Sequence, residues 1–113
     1  MLRTCMIADY LRPYAQWRID RPGPRNARAA IGLIDAAAYV THLDDSSRVI
    51  VRMAVAGCFA LGRFNPGAEG EEIIRSWHYD DATGGPSELL EALAASAERG
   101  LQPRPREPET TPA

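Results

Sequence analysis

The chain has no lysine: all 13 of its basic residues are arginine. Aromatic residues make up only 7 % of its 113 positions, and Cys5 and Cys58 are its two cysteines. Two cysteines so far apart cannot build a disulfide framework, so free thiols in a reducing cytoplasm are expected. No apolar run approaches the roughly 20 residues that a membrane-spanning helix needs. Asp9 falls where a secretory signal would carry its apolar stretch, so a cytoplasmic protein with no membrane association is expected. A glycine-rich phosphate loop is also missing, since Gly67-Ala68-Glu69-Gly70 runs into Glu71 and Glu72, which repel phosphate. Nucleotide and dinucleotide cofactors are therefore disfavoured, and no cofactor is expected. Cys5, Cys58, His42 and His78 lack the short spacings of a zinc site, so no metal is expected either. There is no Gly-x-Ser-x-Gly elbow, and Ser46-Ser47 reads as a helix cap.

What is present is an ordinary globular composition, 45 % hydrophobic and 25 % charged, with 18 alanines. Arginine without lysine beside abundant alanine is the composition of a GC-rich bacterial coding sequence, so arginine here is not by itself a sign of phosphate recognition. Charge is uneven: residues 1–30 carry +4, residues 31–63 are neutral and residues 64–113 carry −6. The simplest expectation is that the two ends pair with each other; head-to-tail docking with a second copy is the alternative.

Periodicity predicts an all-α domain over 1–100, a bundle of four or five helices. From 101 onward the chain is proline-rich without an apolar face, a disordered tail. Leu2, Met6, Ile7, Tyr10 and Leu11 are helically spaced, and Pro13 should end that helix. Residues 13–20 then alternate, with Ala15, Trp17 and Ile19 on one side, as in an extended arm. A second helix is predicted over 26–43, capped by Asn26, with Ile31, Ile34, Ala38 and Val40 as its buried stripe. A third runs over 48–64, apolar all round, with Cys58 in its middle and Gly57 open to close approach by another helix. Asn65-Pro66-Gly67 is a turn. A fourth helix covers 71–79, and a fifth starts at Pro86, buries Leu89, Leu90, Leu93 and Ala97, and stops at Gly100. The runner-up fold is α+β, with Tyr14–Ile19 and Val49–Val55 pairing as strands.

Three functional readings follow. Arg12, Arg18, Arg21, Arg25 and Arg28 interleave with Tyr14 and Trp17 as in single-strand binders, but the whole chain is acidic. The last helix, read as a recognition helix, carries Glu88, Glu91 and Glu98 and would be repelled by phosphate, so nucleic acid is not an expected partner. Trp77-His78-Tyr79-Asp80-Asp81 offers a catalytic reading. There His78 pairs with Asp80 or Asp81 as a general base, in an apolar pocket lined by Trp17 and Trp77 and open to a small molecule. The leading reading is a non-catalytic protein–protein interaction or regulatory module that self-associates or docks a partner protein. Its binding residues would be Tyr14, Trp17 and Arg18, of types that anchor interfaces, with Gly57 as the contact point of a homodimer.

Overall fold

The computed structural model describes residues 2–77 and 85–101. These form five helices in chain order, α1 (Arg3–Ile19), α2 (Pro24–Thr41), α3 (Arg48–Val55), α4 (Gly67–Arg75) and α5 (Pro86–Leu101), with no strand among the described residues. The all-α expectation holds, and the α+β alternative fails at both of its proposed strands, which are helical. The tail predicted beyond α5 lies outside the described residues.

α1 and α2 form an antiparallel hairpin, the most extensive helix pair in the molecule. Pro13 does not end α1, and no extended arm follows it. A proline in a helix interior costs about 3 kcal/mol through the lost N–H and a clash with the preceding turn. Here Pro13 and Asp9, whose carbonyl loses its helical donor, are both exposed, so the break in the ladder falls on the solvent side of the helix and not in the core. Continuing the helix buries Ala15 and Arg18 and brings the Tyr14 hydroxyl to Glu71. Each such contact favours continuation over a break.

The buried face of α2 also differs from the predicted one. Ile31 and Ile34 are 52 % and 46 % exposed, while Ala29, Ala30, Leu33, Ala36, Ala37 and Val40 are buried. Hydrophobic patterning weights isoleucine above alanine, yet small side chains let two helix backbones approach and fill space densely. α1 presents matching small residues, Thr4, Ala8 and Ala15, all buried. The alanine face therefore wins the interior. Asn26 lies within α2, not at its cap; Gly23 holds that position, followed by Pro24 in the first turn.

The first turn of α1 is capped from a distance. Asp45 accepts from the backbone N–H groups of Arg3 at 3.1 Å and Thr4 at 3.3 Å, satisfying donors that a helix start leaves free and placing a negative charge at its positive end. Asp44-Asp45-Ser46-Ser47 thus serves the N-terminus of α1. Ser47 precedes α3 but makes no side-chain cap bond to it.

α3 is eight residues long, not a helix over 48–64. Gly57, at φ +88°, stops it. The Cys58 N–H donates to Met53 and the Gly57 N–H to Ala54, each at 3.0 Å, the paired bonds of a Schellman C-cap. Cys58 and Met53, the apolar pair that accompanies this cap, are both buried. Cys58 is therefore a loop residue just past the helix, and burial pushes its thiol up. The physical reason for choosing Gly57 as a helix-packing point disappears with the helix. A Cβ at Gly57 would meet nothing within 4 Å, so substitution there is a test of backbone strain alone. Gly57→Ala is expected to lower the unfolding free energy by about 1–2 kcal/mol in urea titration, from the left-handed conformation alone.

α5 packs against α2, α3 and α4 and brings the fully buried Leu89, Leu90 and Leu93. All five helices contribute to one cluster of buried side chains, which Cys58 and Phe64 of the α3–α4 connection complete. Arg52 of α3 forks onto both carboxylate oxygens of Glu98 at 2.9 and 2.7 Å and reaches Glu91 at 2.5 Å. That fork holds the Glu98 carboxyl below its usual range. α4 ends at Arg75, short of the predicted Tyr79, and α5 continues through Gly100.

Candidate functional site

Helical continuation through Pro13 decides where the predicted binding residues fall. Tyr10, Tyr14 and Trp17 recur at intervals of four and three, the spacing that stacks side chains on one helix face, and Arg21 follows just past the helix end. Tyr10 and Tyr14 have ring centroids 5.5 Å apart, and Tyr10 meets Phe64 edge-on at 5.3 Å. The Tyr14 hydroxyl donates to Glu71 of α4 at 2.6 Å. Burial, and then this bond to a carboxylate, push the phenol well above its ordinary range, so Tyr14 stays a neutral donor.

Trp17 is 40 % exposed. The Arg21 guanidinium lies 4.0 Å above its ring centroid and that of Arg18 at 5.5 Å, both within cation–π range. Arg18 is different in kind, only 9 % exposed. It donates to Asn26 Oδ1 at 3.0 Å and to the backbone carbonyl of Arg75, and its Nε has no partner among the described residues. No described carboxylate forms an ion pair with Arg18, Arg21 or Arg75. The compensation for a buried cation comes from two helix C-termini: Arg18 lies in the last turn of α1, and its bond to Arg75 is to the final residue of α4.

The expected pairing of the two oppositely charged ends is not what the described residues show. The described ion pairs are Arg12–Asp9, Arg52–Glu91, Arg52–Glu98 and Arg99–Glu69, so no arginine of residues 1–30 pairs with a described acid beyond residue 63. Among the described residues no carboxylate forms an ion pair with the arginine cluster around Trp17.

A cleft of about 190 Å³ opens between Pro13, Tyr14, Trp17 and Arg75. Drug-sized ligands occupy clefts of about 300–1,000 Å³, so this one fits a single inserted side chain. A wider groove of about 540 Å³ lies on the other side of Tyr10, walled by Met6, Leu61 and Phe64. Its charged groups are Arg63 and Asp9, the latter engaged by Arg12 at 2.8 Å, so it presents no nucleophile paired with a base.

The structure thus brings together three of the four predicted binding residues, Tyr14, Trp17 and Arg18. Gly57, the exposed residue after the Ala56 cap, lies apart from both clefts and lines a separate one of about 350 Å³ with Cys58, Pro66 and Ser96. His78, Asp80 and Asp81 lie outside the described residues, and Trp77 is half-buried at the end of the described segment. Glu71, Arg75 and Asn26 were not legible as members of this surface. Glu71 and Arg75 each lie 57 positions from their α1 partner, a separation at which no local pattern carries a signal.

Among the described residues no three His, Cys, Asp or Glu side chains converge as metal ligands, and no helix is long and apolar enough to cross a membrane. Comparison with known proteins finds no matching protein-family model, no matching curated protein and no matching solved structure.

Proposed function

We propose that this chain is a small, cytoplasmic, non-catalytic protein–protein interaction module whose Tyr14–Trp17–Arg18 surface docks an acidic segment of a partner protein. The observation that carries the reading is Trp17: an exposed indole under a guanidinium, beside a cleft sized for one side chain, amid three arginines that no described carboxylate neutralises. Trp and Arg are the residue types that dominate binding hot spots, where an apolar anchor sits inside a charged rim. Arg21 and Arg75 supply the rim, and the buried Arg18 fixes it by joining α1, α2 and α4. The partner segment this chemistry selects has one large apolar side chain flanked by aspartates or glutamates.

Isothermal titration with a short peptide of that design, against the same peptide with lysine for each acid, tests it. The acidic peptide is expected to bind and to weaken as salt rises, and Trp17→Ala should cost at least about tenfold in affinity. Equal binding of the two peptides, or acidic binding indifferent to Trp17→Ala, would defeat the reading.

A further inference from the structure

We infer that the outer face of α2 docks a second copy of this chain, antiparallel, about a two-fold axis. The inference is independent of the Trp17 surface. Ala27, Ile31, Ile34, Ala38 and Thr41 are all exposed and follow one another at intervals of four, three, four and three. That alternation is the seam of a coiled coil, and it persists through the whole of α2. It points away from the alanine face against α1, so one helix carries two apolar stripes and the bundle uses one.

The charges beside the seam select the occupant. Arg28 and Asp35, seven positions apart, flank it on one side together with His42, and all three are exposed. The other side is closed, because Ala30 and Ala37 are buried within the molecule. Neither Arg28 nor Asp35 joins an ion pair among the described residues. When two such helices cross antiparallel about a two-fold axis between Ile31 and Ile34, the charged sides of both copies face each other. Arg28 of each copy then meets Asp35 of the other, giving two symmetric pairs. A parallel arrangement would set Arg28 and Asp35 against the closed alanine side, with nothing to pair. The surface is therefore self-complementary in one orientation only, as a two-fold contact requires.

The seam's length sets the strength. Eighteen helical residues span about 27 Å, and a single-helix contact falls short of the roughly 800 Å² per partner of a standard interface. The dimer should thus be weak, forming between micromolar and sub-millimolar concentration. The other exposed apolar side chains near the predicted dimer helix, Val51, Val55 and Leu61, lack this regularity. Val51 and Val55 occupy an eight-residue helix, and Leu61 lies outside it.

Sedimentation equilibrium of the full chain over that range decides the matter. The mass is expected to rise from 12.4 kDa toward that of a dimer, and Ile34→Arg should weaken association at least about tenfold. Arg28→Asp and Asp35→Arg should each weaken it alone, because each sets like charges against one another across the axis. An equimolar mixture of the two variants should associate again, since every facing pair in the mixed dimer is once more of opposite charge. Both positions are exposed, so circular dichroism of each variant should be unchanged. A mass of 12.4 kDa at every concentration, or association that Ile34→Arg leaves intact, overturns the inference. Failure of the mixture to recover overturns the antiparallel pairing.

Discussion

Leu33→Ala is expected to lower the unfolding free energy by about 2–5 kcal/mol, the range for truncating a buried leucine. The same truncation one residue on, Ile34→Ala, should change it by no more than about 0.5 kcal/mol. Leu33 is wholly inaccessible, so its loss removes apolar burial and leaves a cavity among side chains already packed close. Ile34 stands nearly half-exposed, and alanine is the better helix former, so the small burial it loses is largely offset. In a domain of this size each kcal/mol moves the melting temperature by about 4–8 °C. Thermal unfolding at low micromolar concentration, where α2 is not docked to a second copy, separates the two variants. If Ile34→Ala proves as costly as Leu33→Ala, α2 is turned the other way and its isoleucine stripe is the buried one.

The second large effect is expected at Arg18. Arg18→Ala should cost about 2–3 kcal/mol, since hydrogen bonds made by a charged group contribute about 1.5–3 kcal/mol and the aliphatic stem also packs. Its removal strands Asn26 Oδ1 and the last carbonyl of α4, and leaves the Tyr14–Glu71 bond as the remaining described hydrogen bond between α1 and α4. Arg18→Met restores the stem without the donors and should recover less than half of the loss. Urea unfolding of the three proteins checks this. A methionine variant as stable as the natural chain would show that the buried cation costs the fold as much as it contributes, because removing a buried charge also removes its desolvation penalty. That result would leave recognition of the acidic partner as the role of Arg18, and the peptide titration with Arg18→Met measures it directly.

The sequence alone determined the fold class and most of the helices. Alanine-rich periodic segments, the Asn65-Pro66-Gly67 turn and the proline start of α5 are local signals, and local backbone preference is what they report. The leucines of α5 were legible as core because they are large, periodic and without competitors on that helix. Tyr14, Trp17 and Arg18 stand out by residue type alone, whereas the alternation over 13–20 points to an extended backbone and the structure has a helix there.

Tertiary structure decided everything that set one local preference against another. Pro13 argues for a break, and the burial of Ala15 and Arg18 together with the Tyr14–Glu71 bond outweighs it. Gly57 inside an apolar run looks like a tolerated helical glycine; its positive φ becomes evident only where Met53 and Cys58 close the cap. On α2 two apolar faces compete, one of alanine and one of isoleucine. Side-chain hydrophobicity favours the isoleucines, while the face that the bundle buries is the one rich in alanine, where small side chains pack densely. The same choice leaves Ile31 and Ile34 outside, free for a second copy. The surface around Trp17 depends in turn on Glu71 and Arg75, which α4 delivers from 57 positions further along the chain. Packing settles such choices because a contact between distant segments is a property of the assembled backbone and of no window of the sequence.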